Sequence, residues 1–144
     1  MAGYSETPLP KKLGIKENSR IALIAPPPNF QKELGPLPPG VQFISINAKT
    51  PSLVVLFAKS QAELKQTFPR LASRVPPDGI LWIAWPKKAS GVATDLSQGE
   101  VRRTGLDAGL VDVKICAVDE TWSGLKFVVR LKDRANWGKS RKAE

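Results

Sequence analysis

The feature that most restricts the fold is an unbroken apolar run at residues 80–85, Ile-Leu-Trp-Ile-Ala-Trp. A strand with one face in water alternates apolar and polar residues, and this run does not. We therefore expect a strand buried on both faces, as in a parallel sheet that helices cover on each side. Ligands bind beyond the carboxyl ends of such strands, so the polar loop that follows, residues 86–97, is a candidate site.

Other segments have the β-branched and apolar content of strands or the capping signals of helices. Further strands are predicted at residues 20–25, 41–46, 53–58, 111–118 and 125–131. A short helix is predicted at residues 29–34, and two longer ones begin at the capping boxes Ser60/Glu63 and Ser97/Glu100. Residues 1–19 are predicted to form an extended arm, residues 20–131 one domain, and residues 132–144 a basic disordered tail.

The lengths of the connections set strand directions. Residues 53–85 form a β-α-β unit with a right-handed crossover. A short turn after residue 118 requires the last strand to run antiparallel to the strand before it. Residues 47–52 are too few for a helical crossover, so either this connector runs back extended or the two strands it joins are antiparallel.

Charge and composition restrict the classes of function that the chain can have. Twenty-two Lys and Arg against 13 Asp and Glu give a formal charge of +9, which favours an anionic partner such as nucleic acid or a nucleotide, although lysines also serve solubility. There is no histidine and one cysteine, Cys116, in a predicted strand where burial raises the pKa of its thiol. We therefore expect no metal and no cofactor, and we favour a protein that is not an enzyme over one that uses a lysine base or a metal held by Asp95 and Glu120. Without a signal sequence or an apolar run of membrane-spanning length, we expect a cytoplasmic protein with no membrane partner.

If the strands are parallel, their carboxyl ends meet at one rim. That rim gathers the loop after Ala25, Lys59 with Ser60, the loop 86–95 and the turn 119–123. A site of lysines, hydroxyls and carboxylates suits an anionic ligand. The predicted ligand-binding residues are Lys87, Lys88, Ser90, Gly91, Thr94, Asp95, Asp119, Glu120 and Trp122.

Most of these residues also have a plain structural interpretation. The two lysines suit a solvated loop. Ser90 and Gly91 suit a turn, Thr94 and Asp95 a helix cap, and Asp119 and Glu120 a hairpin turn. Trp82 and Trp85 suit the core, while Trp85 or Trp122 could stack on a base or ring.

Pro26, Pro27 and Pro28 follow the first strand. A nucleotide-binding turn at that position uses glycines, so that backbone N–H groups can approach a phosphate or sugar closely. Proline has no N–H. The three prolines therefore exclude this mode of binding at this turn.

Three blocks of sequence carry a resemblance: residues 2–16 (AGYSETPLPKKLGIK), 85–96 (WPKKASGVATDL) and 117–130 (AVDETWSGLKFVVR). They resemble a family of small bacterial proteins known only as a domain of unknown function. This resemblance does not point to any particular activity. The order of elements more distantly resembles the latter part of a class I methyltransferase sheet. The chain departs from that pattern at the three prolines, and where an acidic ribose-binding residue would end the second strand it has Ile46-Asn47.

The sequence thus predicts an α/β fold: a single, mostly parallel, Rossmann-like sheet flanked by helices and ending in an antiparallel hairpin. The leading functional hypothesis is a non-catalytic binding module that presents the 86–97 loop to an anionic partner. The alternatives are a degenerate or rebuilt S-adenosylmethionine-dependent methyltransferase-like enzyme, and a protein–protein scaffold whose partner binds the N-terminal arm. The oligomeric state is left open.

Overall fold

The computed structural model describes residues 7–137, which form six strands and four α-helices. In chain order these are α1 Leu9–Leu13, β1 Arg20–Ile24, α2 Phe30–Glu33, β2 Gln42–Phe43, β3 Leu53–Phe57, α3 Gln61–Ala72, β4 Ile80–Pro86, α4 Gln98–Asp107, β5 Leu110–Ala117 and β6 Trp122–Val129. Short 3-10 helices lie at Lys88–Ser90 and Leu131–Asn136. No helix within residues 7–137 combines the length and apolar character needed to cross a bilayer.

The six strands form one sheet in the order β2-β1-β3-β4-β6-β5. The first four are parallel, and β6 is antiparallel to both β4 and β5. This confirms the predicted α/β fold with a mostly parallel sheet and a terminal antiparallel hairpin. It also settles the direction of β2: β2 and β3 lie on opposite sides of β1, both parallel to it, so the connector 44–52 returns without a helix.

The central strand β4 is buried on both faces, as its sequence predicts. Leu81, Ile83 and Trp85 belong to the core beneath α3 and α4. Trp82 and Ala84 point the other way, into the core that α1 and α2 cover. The helices on both faces remove the solvated side that would have imposed polar alternation.

The two predicted capping boxes have different outcomes. At α3 the Ser60 cap forms as predicted, because Glu63 N donates to Ser60 Oγ at 3.1 Å. The Glu63 side chain turns back as in a capping box, but its Oε1 accepts the N–H of Lys59, one residue before the cap, at 2.8 Å. At α4 the prediction was wrong, because Ser97 makes no side-chain cap. Glu100 instead accepts a hydrogen bond from Gln61 Nε2 at 3.0 Å, so its carboxylate joins α4 to α3.

The N-terminal segment differs from the extended arm we expected. From Thr7 onward it contains α1. This helix tolerates Pro8 at its N-cap and Pro10 in its first turn, because backbone N–H groups at those positions have no partner within a helix. Leu13 and Ile15 are buried in the domain's own core. The indole Nε1 of Trp82 donates to the carbonyl of Leu13 at 2.9 Å, which ties α1 to β4.

The C-terminal segment also differs from the prediction over its described part. The 3-10 helix Leu131–Asn136 continues from β6, and Trp137 Nε1 donates to the carbonyl of Val75 at 2.9 Å. Residues 132–136 therefore belong to a 3-10 helix, and Trp137 is tied to the end of the α3 region, where the composition predicts disorder. The rest of the predicted tail, and the first six residues of the predicted arm, lie outside the described residues.

Candidate functional site

The sheet reverses its direction of growth at β1: the chain proceeds from β1 outward to β2, and then crosses to the other side of β1 to form β3. In α/β sheets the crevice at such a reversal, beyond the carboxyl ends of the strands, is the usual place for a ligand. A pocket of about 310 Å³ lies there. Its walls are Ala25, Pro26, Pro27, Pro28, Phe57, Lys59, Glu63 and Trp122, and we call it the reversal pocket.

One wall of the reversal pocket is the turn after β1. Ala25 has φ +56° and Asn29 has φ +65°, so left-handed residues stand on both sides of the three prolines. A non-glycine residue in this conformation costs about 1–2 kcal/mol, which places backbone strain at the carboxyl end of β1. None of the prolines offers an N–H, so this wall presents carbon atoms and carbonyl oxygens to the pocket.

A second wall is aromatic. The ring of Phe57, at the end of β3, meets the rings of Phe30 and Trp122 edge to face, with centroids 4.9 Å and 5.1 Å away. Trp122 is held at this rim because β6 pairs it with Pro86, the last residue of β4. It is 7% exposed, so most of the indole supports the core and only a small part faces the pocket.

The polar wall comes from the start of α3. Lys59 is exposed and lies two residues after the end of β3. Glu63 is held one helical turn later, where its Oε1 accepts the Lys59 N–H at 2.8 Å and leaves Oε2 for another partner. An ammonium and a carboxylate thus stand together beside the aromatic wall.

The predicted loop residues lie at the same rim but do not line this pocket, apart from Trp122. Lys87 N donates to the carbonyl of Thr121 at 2.8 Å, which fixes the loop beside the β5–β6 turn. Lys88 follows in the 3-10 helix and is exposed. The structure therefore brings these lysines to the end of the sheet that carries Trp122, and their contact with a ligand stays a prediction.

The hydroxyl groups of the loop are used within the loop itself. Ser90 Oγ donates to the carbonyl of Lys87 at 2.6 Å and accepts the Val92 N–H at 3.2 Å. Thr94 Oγ1 accepts the Leu96 N–H at 3.0 Å, and Gly91 adopts φ +80° to end the 3-10 helix. The contacts of Ser90 and Gly91 match their turn-forming interpretation, whereas Thr94 bonds within the loop and does not cap α4, whose N-cap is Ser97.

Asp95 lies at the N-terminus of α3. Its Oδ1 accepts the Gln61 N–H at 2.8 Å, and its carbonyl accepts from Gln61 Nε2 at 3.1 Å. A carboxylate is stabilised there by the free N–H groups and the helix dipole. In its structural interpretation, Asp95 was predicted to cap the helix that follows it in the sequence, α4. It instead accepts from the start of α3, which precedes it in the sequence.

Asp119 closes the β5–β6 turn, because its Oδ1 accepts the N–H groups of Thr121 and Trp122, both at 2.8 Å. These two bonds let β6 begin at Trp122, three residues earlier than predicted. Glu120 is exposed in the same turn. Cys116 is half-buried on β5, and burial raises the pKa of its thiol against the opposing effect of Lys12 and Lys114.

Of the nine predicted site residues, the structure places only Trp122 in the wall of the reversal pocket. The sequence analysis placed Lys59 on the rim without assigning it to the site, and it missed Phe57 and Glu63. The order of strands was the missing signal, because only that order shows that the ends of β1 and β3 are neighbours.

Comparisons with solved structures give fold matches at low sequence identity. A protein described as a possible exported protein from Bordetella parapertussis matches with TM-score 0.60 and 12% identity, over 84% of this chain and 65% of that one, so this chain spans under two thirds of its length. An S-adenosylmethionine-dependent methyltransferase from Aquifex aeolicus matches with TM-score 0.56 and 15% identity over 83% and 87% of the two chains. Aeropyrum pernix fibrillarin with natively bound S-adenosylmethionine matches with TM-score 0.54 and 15% identity over 88% and 70%.

No protein-family model matches the chain, and no curated protein matches its sequence. The resemblance to a family of unknown function therefore stays a prediction, while the distant resemblance to the methyltransferase fold agrees with the structural matches.

The leading functional hypothesis was wrong. It described a non-catalytic module that binds an anionic partner through the 86–97 loop, whereas solved structures with this fold include a methyltransferase and a protein holding S-adenosylmethionine. The internal use of Ser90, Thr94 and Asp95 agrees with the correction.

Proposed function

We propose that this protein is an S-adenosylmethionine-dependent, methyltransferase-like enzyme with a rebuilt cofactor site in the reversal pocket. The observation that carries the proposal is the position of that pocket, at the carboxyl ends of β1 and β3 where the sheet reverses. Its volume of about 310 Å³ lies at the lower end of the range for small-molecule sites.

The pocket does not fit the cofactor in the glycine-turn mode. Pro26, Pro27 and Pro28 supply no N–H groups, and β2 ends at Phe43 without a carboxylate for a ribose. Ala25 does keep a left-handed backbone at the end of β1, the conformation for which glycine is the usual residue. The turn thus has a glycine-like shape but not the donors.

The other two walls offer substitutes for those donors. S-adenosylmethionine carries a transferable methyl group on a positively charged sulfur, next to an amino-acid group with one ammonium and one carboxylate. We assign the carboxylate to Lys59 and the ammonium to Glu63, which stand together at the start of α3. The aromatic wall of Phe57 and Trp122 suits the sulfonium, because the face of an aromatic ring attracts a cation.

Calorimetric titration with S-adenosylmethionine and with S-adenosylhomocysteine tests the binding. Both are expected to bind, and Lys59→Gln should weaken both roughly tenfold, because a charge-assisted hydrogen bond is lost at an exposed site. Lys32→Gln is the matched control: Lys32 is an exposed lysine on α2 that does not line the pocket. It should leave both affinities unchanged.

Cofactor binding and methyl transfer can be rejected independently of each other. Absence of binding heat for either compound, with folded protein, would reject the cofactor site. Binding that Lys59→Gln and Lys32→Gln reduce equally would reject the assignment of Lys59. If the cofactor binds but no labelled methyl group passes to any fraction of a cell extract, the enzymatic half is rejected and a binding protein remains.

A further inference from the structure

A second surface lies along the β5–β6 hairpin, on the face that turns away from α3 and α4. On β6, Leu125, Phe127 and Val129 are buried at 1% exposure or less in the core beneath those two helices. Lys126, Val128 and Arg130 alternate with them and so project from the opposite face. These three are only half-buried, whereas Trp82, on the face that α1 covers, is fully buried.

This face contains an apolar groove of about 470 Å³. Its apolar floor is formed by Val111, Val113, Val128, Val129 and Leu131, and its rim by Arg130, Lys132 and Arg134; we call it the hairpin groove. Within residues 7–137, four large apolar side chains are exposed, and two of them line this groove: Val113 and Leu131, at 54% and 79%. Ile115, 48% exposed, pairs with Leu125 and therefore lies on the other face of the hairpin. Apolar side chains that cluster on a surface in this way mark a site of interaction.

The surroundings of the groove are positively charged. Lys114 on β5 lies directly opposite Lys126 on β6, a cross-strand pair of like charges that destabilises the sheet. Burial lowers the pKa of Lys126, and the charges of Lys114 and Lys16 lower it further. The one ion pair in the described part of the chain joins Arg102 to Asp112 and neutralises none of these lysines.

Strand β5 is also the edge of the sheet. Its outer backbone N–H and C=O groups face no neighbouring strand in the described part of the chain. A register shift between Asp112 and Lys114 lies on the other side of β5, in its ladder with β6. An edge of this kind accepts an added strand from another chain. A peptide can supply apolar side chains for the groove, carboxylates for the basic rim and main-chain groups for the edge at once.

We propose that the hairpin groove binds an acidic peptide segment of another protein, with its apolar side chains in the groove and its carboxylates on the surrounding lysines and arginines. The chain's own residues 138–144, GKSRKAE, are predominantly basic and would repel the rim. A second copy would bring the same positive surface to the contact. Nucleic acid would satisfy the charges but leave the exposed side chains of Val113 and Leu131 without apolar partners.

Fluorescence anisotropy with a short labelled peptide of alternating valine and glutamate tests the proposal. Saturable binding is expected, weaker at high salt. A serine–glutamate peptide of the same charge and a valine–lysine peptide should bind far more weakly. Leu131→Ser should weaken binding roughly tenfold through the lost apolar contact, and Lys114→Gln roughly two- to fivefold through the lost charge.

Two variants provide matched controls. Leu106→Ser removes the fourth exposed apolar side chain, which lies on α4, and Lys11→Gln removes an exposed charge on α1. Neither residue lines the hairpin groove, so both variants should bind the valine–glutamate peptide as the unmodified protein does. Circular dichroism checks that all four variants are folded.

Several results would overturn the proposal. Absence of saturable binding by the valine–glutamate peptide would do so, as would equal binding of the serine–glutamate peptide or equal losses in Leu131→Ser and Leu106→Ser. A dimer in analytical ultracentrifugation that Leu131→Ser abolishes would assign the groove to a second copy. Binding of RNA or of anionic vesicles that depends on Leu131, without peptide binding, would assign it to those partners.

Discussion

Two glycines of α4 provide a test of how closely this helix packs on the sheet, because the same substitution, glycine to alanine, can be made at both. Gly105 faces β6, and a methyl group added there would lie 2.6 Å from Cζ of Phe127 and still closer to two other ring carbons. Gly99, near the start of the same helix, has no atom within 4 Å of the corresponding position. Gly105→Ala and Gly99→Ala therefore make the same chemical change with and without a steric conflict.

The magnitude follows from two opposing contributions. Glycine to alanine in a helix favours folding by about 1 kcal/mol through backbone entropy. At Gly105 the Phe127 ring must retreat, but it is fully buried and meets Phe68 on its other side at a centroid distance of 6.4 Å. Such overpacking costs about 1–3 kcal/mol. We expect Gly105→Ala to be less stable than Gly99→Ala by about 1–3 kcal/mol, because the propensity contribution is similar in both.

Urea unfolding followed by tryptophan fluorescence measures both free energies of unfolding, and calorimetry should show a difference in Tm of about 2–4 °C per kcal/mol for a domain of this size. A smaller side chain at the partner position gives an internal check. The double variant Gly105→Ala, Phe127→Leu should lose less free energy of unfolding than the sum of the losses in the two single variants. If Gly105→Ala is as stable as Gly99→Ala, the close approach of α4 to Phe127 is wrong.

Three further substitutions or measurements address the rim of the sheet and the hairpin. Asp119→Ala removes both hydrogen bonds that close the β5–β6 turn and should cost about 1–2 kcal/mol in urea unfolding, whereas Glu120→Ala should stay within about 0.5 kcal/mol; equal costs would contradict the turn geometry. Ala25→Gly should raise the free energy of unfolding by about 0.5–1 kcal/mol, because it relieves a left-handed backbone at a smaller entropic cost, and a loss would show that Ala25 is unstrained. Cys116 should react with iodoacetamide more slowly than a free thiol, and the pH midpoint of its reaction rate should lie above the ordinary thiol pKa. The free energy of unfolding should fall as the pH rises through that ordinary pKa, because the thiol of the unfolded chain loses its proton first. A normal reaction midpoint would contradict the burial of the thiol.

Much of the fold follows from signals that span only a few residues. The run 80–85 lacks alternation, and β4 is indeed buried on both faces. Ser60 caps α3 as predicted, and the turn at Asp119 makes β6 antiparallel to β5. The Ser60 cap and the Asp119 turn depend on groups close together in the chain, whose hydrogen bonds are local. The burial of β4 requires distant helices, but its apolar composition already indicates it.

The candidate site was less predictable, because the groups that compete for each polar side chain come from distant segments. Asp95 could cap the helix that follows it, but the N-terminus of α3 lies closer in space and takes it instead. Glu100 has the spacing of a capping residue and is taken by Gln61. The loop 86–97 therefore looked like a ligand site in sequence, while most of its hydroxyl and carboxylate groups stabilise the loop and its contact with α3.

The sequence by itself determined the class of sheet, the strand ends that carry polar loops, and the loss of N–H donors at the three prolines. Only the tertiary structure decided that β2 and β3 lie on either side of β1, which places Phe57, Lys59 and Glu63 beside the proline turn. It likewise decided that Lys114 lies opposite Lys126, through a register shift at the edge strand. The physical reason is that strand order and register are fixed by the packing free energy of the whole sheet, which no local stretch of residues contains.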